Sequence, residues 1–222
     1  MQVTIQQDYA ETMDIDTENP LTESGQPALH DRTKDFCDSY EDIANTLHDR
    51  YELDKALTYY SKSLTIRLQT LGENHPDVAA SYNNIGSVYD DKGELDKALE
   101  YHNKSLTMRL NTSGENHPEV ATIYNDMGCV YKDKGELSKA LEYYNKSLTI
   151  RLNTLGENHP DVAASYNNIG EVYRGKGELD EAIVYHLKSI TIELDTKGEN
   201  HQDTATSYNN ISTLYDQKTW AW

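Results

Sequence analysis

A segment that recurs every 42 residues constrains the fold of this chain more than any other feature of its sequence. The run GENHPDVAASYNNIG occurs in full twice, and two related runs follow these copies at the same spacing. Residues 72–113 and 156–197 differ at 12 of 42 positions and therefore share 30. Such a period is the sequence signature of a repeat array, in which each unit is one supersecondary structure.

The repeats set the domain organisation. A more divergent copy precedes the others, because residues 52–57 (ELDKAL) align with residues 94–99 after a shift of 42. We predict an acidic, disordered tail over 1–33, an array over 34–219 with units 34–71, 72–113, 114–155, 156–197 and a half-unit 198–219, and a tryptophan-containing end over 220–222. The two terminal tryptophans are predicted to cover the last apolar face of the array, and the alternative is that the chain is truncated there.

Each unit is predicted to form two helices, A and B, because its apolar residues recur at three- and four-residue spacing. In the second unit this spacing holds from Val78 to Tyr89 and again from Leu95 to Leu106. Pro76 suits the first turn of helix A, where no hydrogen-bond partner is needed for the missing N–H. Gly93 suits the end of helix A, because glycine adopts the left-handed conformation of a helix stop.

The low apolar content agrees with an array. Hydrophobic residues make up only 36% of the chain, and 17 of them are tyrosines. A two-helix unit cannot bury its own apolar face, so neighbouring units must supply the core. The sequence therefore predicts an all-α fold, an α-solenoid of stacked antiparallel helix pairs.

The charge of the chain excludes several classes of partner. Twenty basic and 38 acidic residues give a formal net charge of −18, which opposes nucleic-acid binding and attachment to anionic membranes. The first 20 residues contain no basic side chain, and no run approaches 18 apolar residues. We expect no export signal, no membrane span and a cytoplasmic location.

No catalytic or metal-binding constellation is indicated, and no cofactor is expected. One histidine occurs per inter-repeat turn, as in His75, and such residues are too far apart to bind one ion, so we interpret them as turn and helix-capping residues. Cys129 stands where the sister repeats have Ser87 and Glu171, which argues against a nucleophile with a dedicated base. Cys37 and Cys129 lie 92 residues apart, so no disulfide is predicted.

The motif Asn-Asn-Ile-Gly-x-Val-Tyr at 83–89 and 167–173, followed by Gly-Glu-Leu-x-x-Ala, resembles a tetratricopeptide repeat. The 42-residue period, with Gly-Glu-Asn-His-Pro before the Asn pair, resembles the long repeat of kinesin light chains and nephrocystin-type arrays across about residues 34–219. The resemblance implies a right-handed superhelix whose A helices line the concave surface. Residues 1–33 lack the sustained heptads of a kinesin light chain, which argues against a motor role.

A ladder of side-chain amides follows the predicted A helices. It comprises Asn83, Asn84, Asn125, Asp126, Asn167, Asn168, Asn209 and Asn210. An amide both donates and accepts hydrogen bonds, so it can pair with the backbone of an extended peptide of any sequence. The alternative is that one Asn of each pair connects neighbouring repeats or faces solvent.

The sister repeats differ most at positions just beyond these amides. The differing sets are Ser87, Cys129 and Glu171, then Asp90, Lys132 and Arg174, then Asp91, Asp133 and Gly175. A constant scaffold with variable groove positions is typical of a specificity surface, although exposed positions also vary when nothing selects them. Most charged residues predicted on the A-helix faces are carboxylates, which favours a basic ligand.

The sequence thus predicts a non-enzymatic, monomeric adaptor that binds a protein or an extended peptide. The alternative is a structural scaffold that self-associates through the faces or ends of the array.

Overall fold

The computed structural model describes residues 25–198 and 202–219, and within these ranges the chain forms nine α-helices. They are α1 (Gly25–Asp49), α2 (Leu53–Leu71), α3 (Pro76–Asp91), α4 (Leu95–Ser113), α5 (Pro118–Asp133), α6 (Leu137–Leu155), α7 (Pro160–Lys176), α8 (Leu179–Lys197) and α9 (Gln202–Thr219). The odd-numbered helices correspond to helix A and the even-numbered helices to helix B. Each helix packs against the next one in sequence, which confirms the predicted α-solenoid.

Local sequence signals set the ends of these helices as predicted. The His75 side chain accepts a hydrogen bond from the Asp77 backbone N–H at 3.2 Å, and Pro76 opens α3. The same cap recurs at His117 and His159. Gly93, directly after α3, has a φ of +71° in the left-handed region. The histidines therefore cap helices, as the sequence analysis proposed.

Stacked repeats supply the core that a single repeat lacks. Val78, Ile85 and Val88 of α3 are almost fully buried, and they belong to one cluster with Tyr60 and Leu64 of the preceding repeat. Equivalent clusters join the later repeats. Each A helix is thus buried on one side by the B helix before it.

Within a repeat, helices A and B approach closely at a glycine. A Cβ atom on Gly86 would lie 2.8 Å from Cε1 and Nδ1 of His102, and one on Gly128 would lie 2.7 Å from the Tyr144 ring. No side chain fits at such distances unless the opposing ring moves. These glycines therefore allow one large ring of helix B to enter the interior of each pair.

A buried polar contact between repeats was not anticipated from the sequence. Arg67 Nη1 donates to Ser81 Oγ at 2.7 Å, and Arg151 Nη1 donates to Ser165 Oγ at 2.7 Å. In the repeat between them Ile123 replaces the serine, and Arg109 instead contacts Glu119 at 2.6 Å.

The structure differs from the predicted boundaries at the N-terminus. Helix α1 begins at Gly25, nine residues before the predicted start of the array at 34. Predictions that concern residues 1–24, His201, Trp220 and Trp222 lie outside the described residues. No helix in the described ranges has the length and apolarity needed to cross a membrane.

Candidate functional site

The amide ladder forms hydrogen bonds from one A helix to the next. Every bond joins residues 43 positions apart, so the first member of one pair contacts the second member of the following pair. The bonds run from Asn84 Nδ2 to Glu41 Oε1 (2.8 Å), from Asn83 Nδ2 to Asp126 Oδ2 (2.9 Å) and from Asn168 Nδ2 to Asn125 Oδ1 (2.9 Å). The ladder therefore connects α1, α3, α5 and α7 in series.

These bonds leave part of the amide capacity unused. A side-chain amide has two N–H donors and one carbonyl acceptor, and Asn84 and Asn168 each donate one N–H to the preceding repeat. Neither Oδ1 accepts a hydrogen bond from another described side chain, and both residues are only half-buried. On α9, Asn209 is exposed and Asn210 is half-buried. Peptide binding by the ladder stays a prediction, beside the repeat-to-repeat role that the geometry shows.

In two repeats a buried histidine ring of helix B forms a hydrogen bond with an asparagine of the ladder. His102 Nδ1 lies 2.8 Å from Asn83 Oδ1, and His186 Nδ1 lies 2.9 Å from Asn167 Oδ1. Because Asn83 donates its Nδ2 to Asp126, its Oδ1 accepts and His102 Nδ1 is the donor. His102 Nε2 is buried without a hydrogen-bond partner, and burial lowers the pKa of His102 to about 4.

The first variable position of helix A faces this ring. Tyr144 donates its hydroxyl to Cys129 Sγ at 3.2 Å, whereas His186 Nε2 lies 3.4 Å from Glu171 Oε1. In the first repeat Tyr60 donates to Asn45 in the same way. In the first, third and fourth repeats this position therefore contacts the buried ring, a role that was not predicted from the sequence.

The second variable position is more accessible. It is occupied by Asp90, Lys132 and Arg174, of which the first two are half-buried and the third is exposed. Lys132 Nζ lies 4.0 Å from an Asp133 oxygen, and Arg174 Nε donates to Glu171 at 3.1 Å. These charges remain candidates for ligand contact.

Asp90 is the most unusual carboxylate of this face. Its Oδ1 is buried without a hydrogen-bond partner. Burial raises the pKa of Asp90 to about 6, and the neighbouring carboxylates Asp133, Asp91 and Asp126 add to the effect. Burial also raises the pKa of the Asp126 carboxyl. A concentration of negative charge therefore lies where α3 meets α5.

The described residues offer little for catalysis. Burial raises the pKa of the Cys129 thiol, which keeps it protonated and weakly nucleophilic. Among the described residues, no group of three His, Cys, Asp or Glu side chains could bind a metal ion. The arrangement is suited to binding through hydrogen bonds and charge.

Comparisons with known proteins agree with this geometry. The family model of the tetratricopeptide repeat matches residues 35–111, 91–153, 135–194 and 161–218. A comparison with curated protein sequences gives no significant match.

Two solved structures illustrate the similarity. The crystal structure of BtubC (BKLC) from P. vanneervenii is 26% identical, covers 87% of this chain and 78% of its own, and superposes with a TM-score of 0.75. A kinesin light chain-like protein of Podosopora anserina with nearly identical TPR-like repeats is 20% identical, covers 82% and 86%, and has a TM-score of 0.69. The second of these likenesses concerns the fold alone.

Proposed function

Because this chain belongs to the tetratricopeptide repeat family, we propose that it is a non-enzymatic adaptor that holds an extended segment of a partner protein along its A helices. Proteins of this family generally mediate protein–protein interaction. The observation that carries the proposal is the series of A helices α1, α3, α5 and α7, in which side-chain amides join four successive repeats. A continuous polar surface of this kind suits a ligand that runs across several repeats.

The remaining amide capacity supplies the contact to the ligand. Asn84 and Asn168 retain an acceptor and one donor each, which match the N–H and C=O groups of an extended peptide. Their other N–H holds the side chain in place through the preceding repeat. A side chain fixed in this way loses less conformational entropy when it binds.

The charge of this face favours a basic segment. Asp90, Asp126 and Asp133 bring negative charge to the junction of α3 and α5, which Lys132 offsets at Asp90 and Arg151 offsets at Asp126. A lysine or arginine of the ligand would offset this charge by pairing with Asp133, whose side chain is exposed. Binding should weaken as salt shortens the screening length to about 8 Å near physiological ionic strength.

The test compares amides of the A face with amides of the outer face. Extended basic, neutral and acidic peptides are titrated against the chain and against Asn84→Ala, Asn168→Ala and Asn210→Ala. We expect each variant to bind the preferred peptide about 5- to 150-fold more weakly, because a peptide group loses its partner. The controls are Asn103→Ala and Asn145→Ala, whose amides bond only to their own helix.

Thermal melting of the same variants separates the two roles of the ladder. If affinity falls only in proportion to the fraction of unfolded protein, the amides are purely structural and the proposal fails. Asn84→Ala also removes a bond to Glu41, so a modest loss of stability is expected there. A preference for acidic peptides would refute the predicted polarity.

A self-associating scaffold is the second candidate, and the surface of α9 favours it. Tyr208 and Tyr215 are 50% and 51% exposed, whereas their equivalents Tyr166 and Tyr173 pack against Tyr185. Two aromatic rings on one helix face could join two chains. Sizing with light scattering decides between the candidates, because a scaffold gains mass with concentration and an adaptor stays monomeric.

A further inference from the structure

One turn on the outer face of α8 breaks a pattern that its sister helices keep. In α4 this turn carries Glu100 and Asn103, and in α6 it carries Glu142 and Asn145, all exposed. In α8 the equivalent residues are Val184 and Leu187, which are 50% and 45% exposed. Two polar positions have thus become aliphatic without becoming buried.

The same substitution removes the carboxylate that pairs with a lysine in the sister helices. Lys104 and Lys146 each contact a glutamate four residues earlier at 2.7 Å. Lys188 occupies the equivalent position, and no carboxylate pairs with it among the residues that the structure describes. Its ammonium nevertheless stays over the rings of Tyr166 and Tyr185, at 5.3 and 5.0 Å from their centroids. Val184, Leu187 and Lys188 together form the α8 outer patch.

The patch is not explained by helix stability. Valine is β-branched and is a poorer helix former than glutamate in an exposed position. An aliphatic side chain that stays exposed contributes no hydrophobic stabilisation. The first repeat supplies a comparison, because Lys62 also lies over two rings, of Tyr40 and Tyr59, and lacks a carboxylate partner in the described structure. Its neighbours Thr58 and Ser61 are polar. Among the four B helices that the structure describes, α8 alone combines a lysine that lacks a carboxylate partner with aliphatic neighbours.

The first 24 residues of the chain have the complementary composition. They contain six carboxylates and no basic side chain, interspersed with Val3, Ile5, Met13 and Ile15. The acidic face at α3 and α5 repels such a segment. Phe36 and Ile43 on α1 are also exposed, but they adjoin the carboxylates of Asp35 and Asp42.

The small size of the patch favours a tethered occupant. Two half-exposed aliphatic side chains and one surface ion pair bind a free partner with a dissociation constant of about a millimolar or weaker. A segment of the same chain has an effective concentration of about a millimolar, which makes such a contact populated. With Ile5 docked, the 19 residues between Ile5 and Gly25 of α1 span up to about 65 Å, whereas three repeats separate the first repeat from the fourth by roughly 30 Å.

We propose that the acidic segment 1–24 docks intramolecularly on the α8 outer patch, with its aliphatic side chains on Val184 and Leu187 and a carboxylate on Lys188. The patch belongs to a B helix, whereas the amide ladder belongs to the A helices. This contact is independent of the ligand proposed for the A helices.

Zero-length carbodiimide crosslinking of the full chain tests the contact, because it joins only carboxylates and lysines that touch. We expect peptides from residues 1–24 to be crosslinked to Lys188 about tenfold more than to Lys62, although Lys62 is nearer along the chain. Val184→Thr with Leu187→Ser copies the first repeat and keeps Lys188, and it should remove this preference. Thr58→Val with Ser61→Leu should transfer crosslinks to Lys62.

Both variant pairs use residues that a sister repeat already carries, so the helices are expected to fold. Equal crosslinking of Lys62 and Lys188, crosslinks mainly to Lys34, or no response to Val184→Thr with Leu187→Ser would overturn the proposal. Mixed ¹⁴N and ¹⁵N chains complete the test. Crosslinks within one isotope support the tethered contact, and crosslinks mainly between isotopes contradict it.

Discussion

The second and fourth repeats share 30 of 42 residues, yet their interiors differ electrostatically. Both bury a histidine of helix B whose Nδ1 bonds to an asparagine of helix A. In both repeats the other ring nitrogen, Nε2, is buried without a hydrogen-bond partner, and in the second repeat position 87 is a serine. In the fourth repeat Glu171 occupies that position and lies 3.4 Å from His186 Nε2.

The residue at this position, Ser87 or Glu171, therefore determines how the stability of each repeat depends on pH. Burial lowers the pKa of His102 to about 4, so this repeat resists protonation of its ring. The pKa of Glu171 is lowered to about 2, first by the neighbouring His186 and then by Arg174. Repeats of nearly equal sequence can thus lose stability in different pH ranges.

The largest expected effect concerns His102. Its folded pKa of about 4 lies below the ordinary value of 6.5, so the unfolded chain takes up a proton first as the pH falls. The contribution of His102 to the free energy of unfolding is therefore largest above pH 6.5, and it decreases by about 3 kcal/mol as the pH falls to 4. His102→Tyr, which copies Tyr144, should remove this loss. Denaturant unfolding at pH 7 and 4.5 measures it, and an unchanged pH dependence would contradict the argument.

A smaller effect is expected from Glu171→Ser, which makes the fourth repeat resemble the second. A carboxyl with a lowered pKa contributes stability above its ordinary value of 4.5, and this contribution is lost as the pH falls through about 2. Because Glu171 is partly exposed and screened by solvent, the expected loss at pH 7 is about 1 kcal/mol. Unfolding from pH 7 down to 2 should show this difference shrinking. A constant difference at all pH values would assign the loss to packing.

The smallest effect is expected from the reciprocal change, Ser87→Glu. A carboxylate facing His102 Nε2 favours the charged ring and should raise the pKa of His102 by about one unit. NMR titration of the His102 ring measures the change, and Ser87→Gln is the neutral control. Equal shifts in both variants would show that charge at position 87 does not control the ring.

The helix ends were predictable because their signals are local. His75 and Pro76 identify the start of α3, and Gly93 identifies its end, from residues within a few positions of one another. The contacts of Ser87, Cys129 and Glu171 were not predictable from local signals. The sequence predicted these residues as groove positions. In the structure Cys129 contacts the buried ring of Tyr144 and Glu171 lies beside the buried ring of His186, contacts that the sequence does not show.

The partners of the amide ladder were also not predictable from the sequence. The sequence indicated the amides, and it left open whether they bind a peptide or connect repeats. Only the packed helices show that residue 41 contacts residue 84, and that Arg67 also contacts Glu41. Glu41→Asn would therefore remove a carboxylate that pairs with the buried Arg67.

The sequence by itself determined the repeat length, the helix pairs and their stacking, because these follow from periodic apolar residues and from caps that act within one turn. The tertiary structure decided which polar groups meet. Contacts over 43 residues depend on the rotation and spacing of neighbouring helices, and shifts of an ångström decide whether a hydrogen bond forms. Within a repeat, close packing at Gly86 places the His102 ring beside Asn83 of the ladder, which is likewise a contact that only the packed helices show.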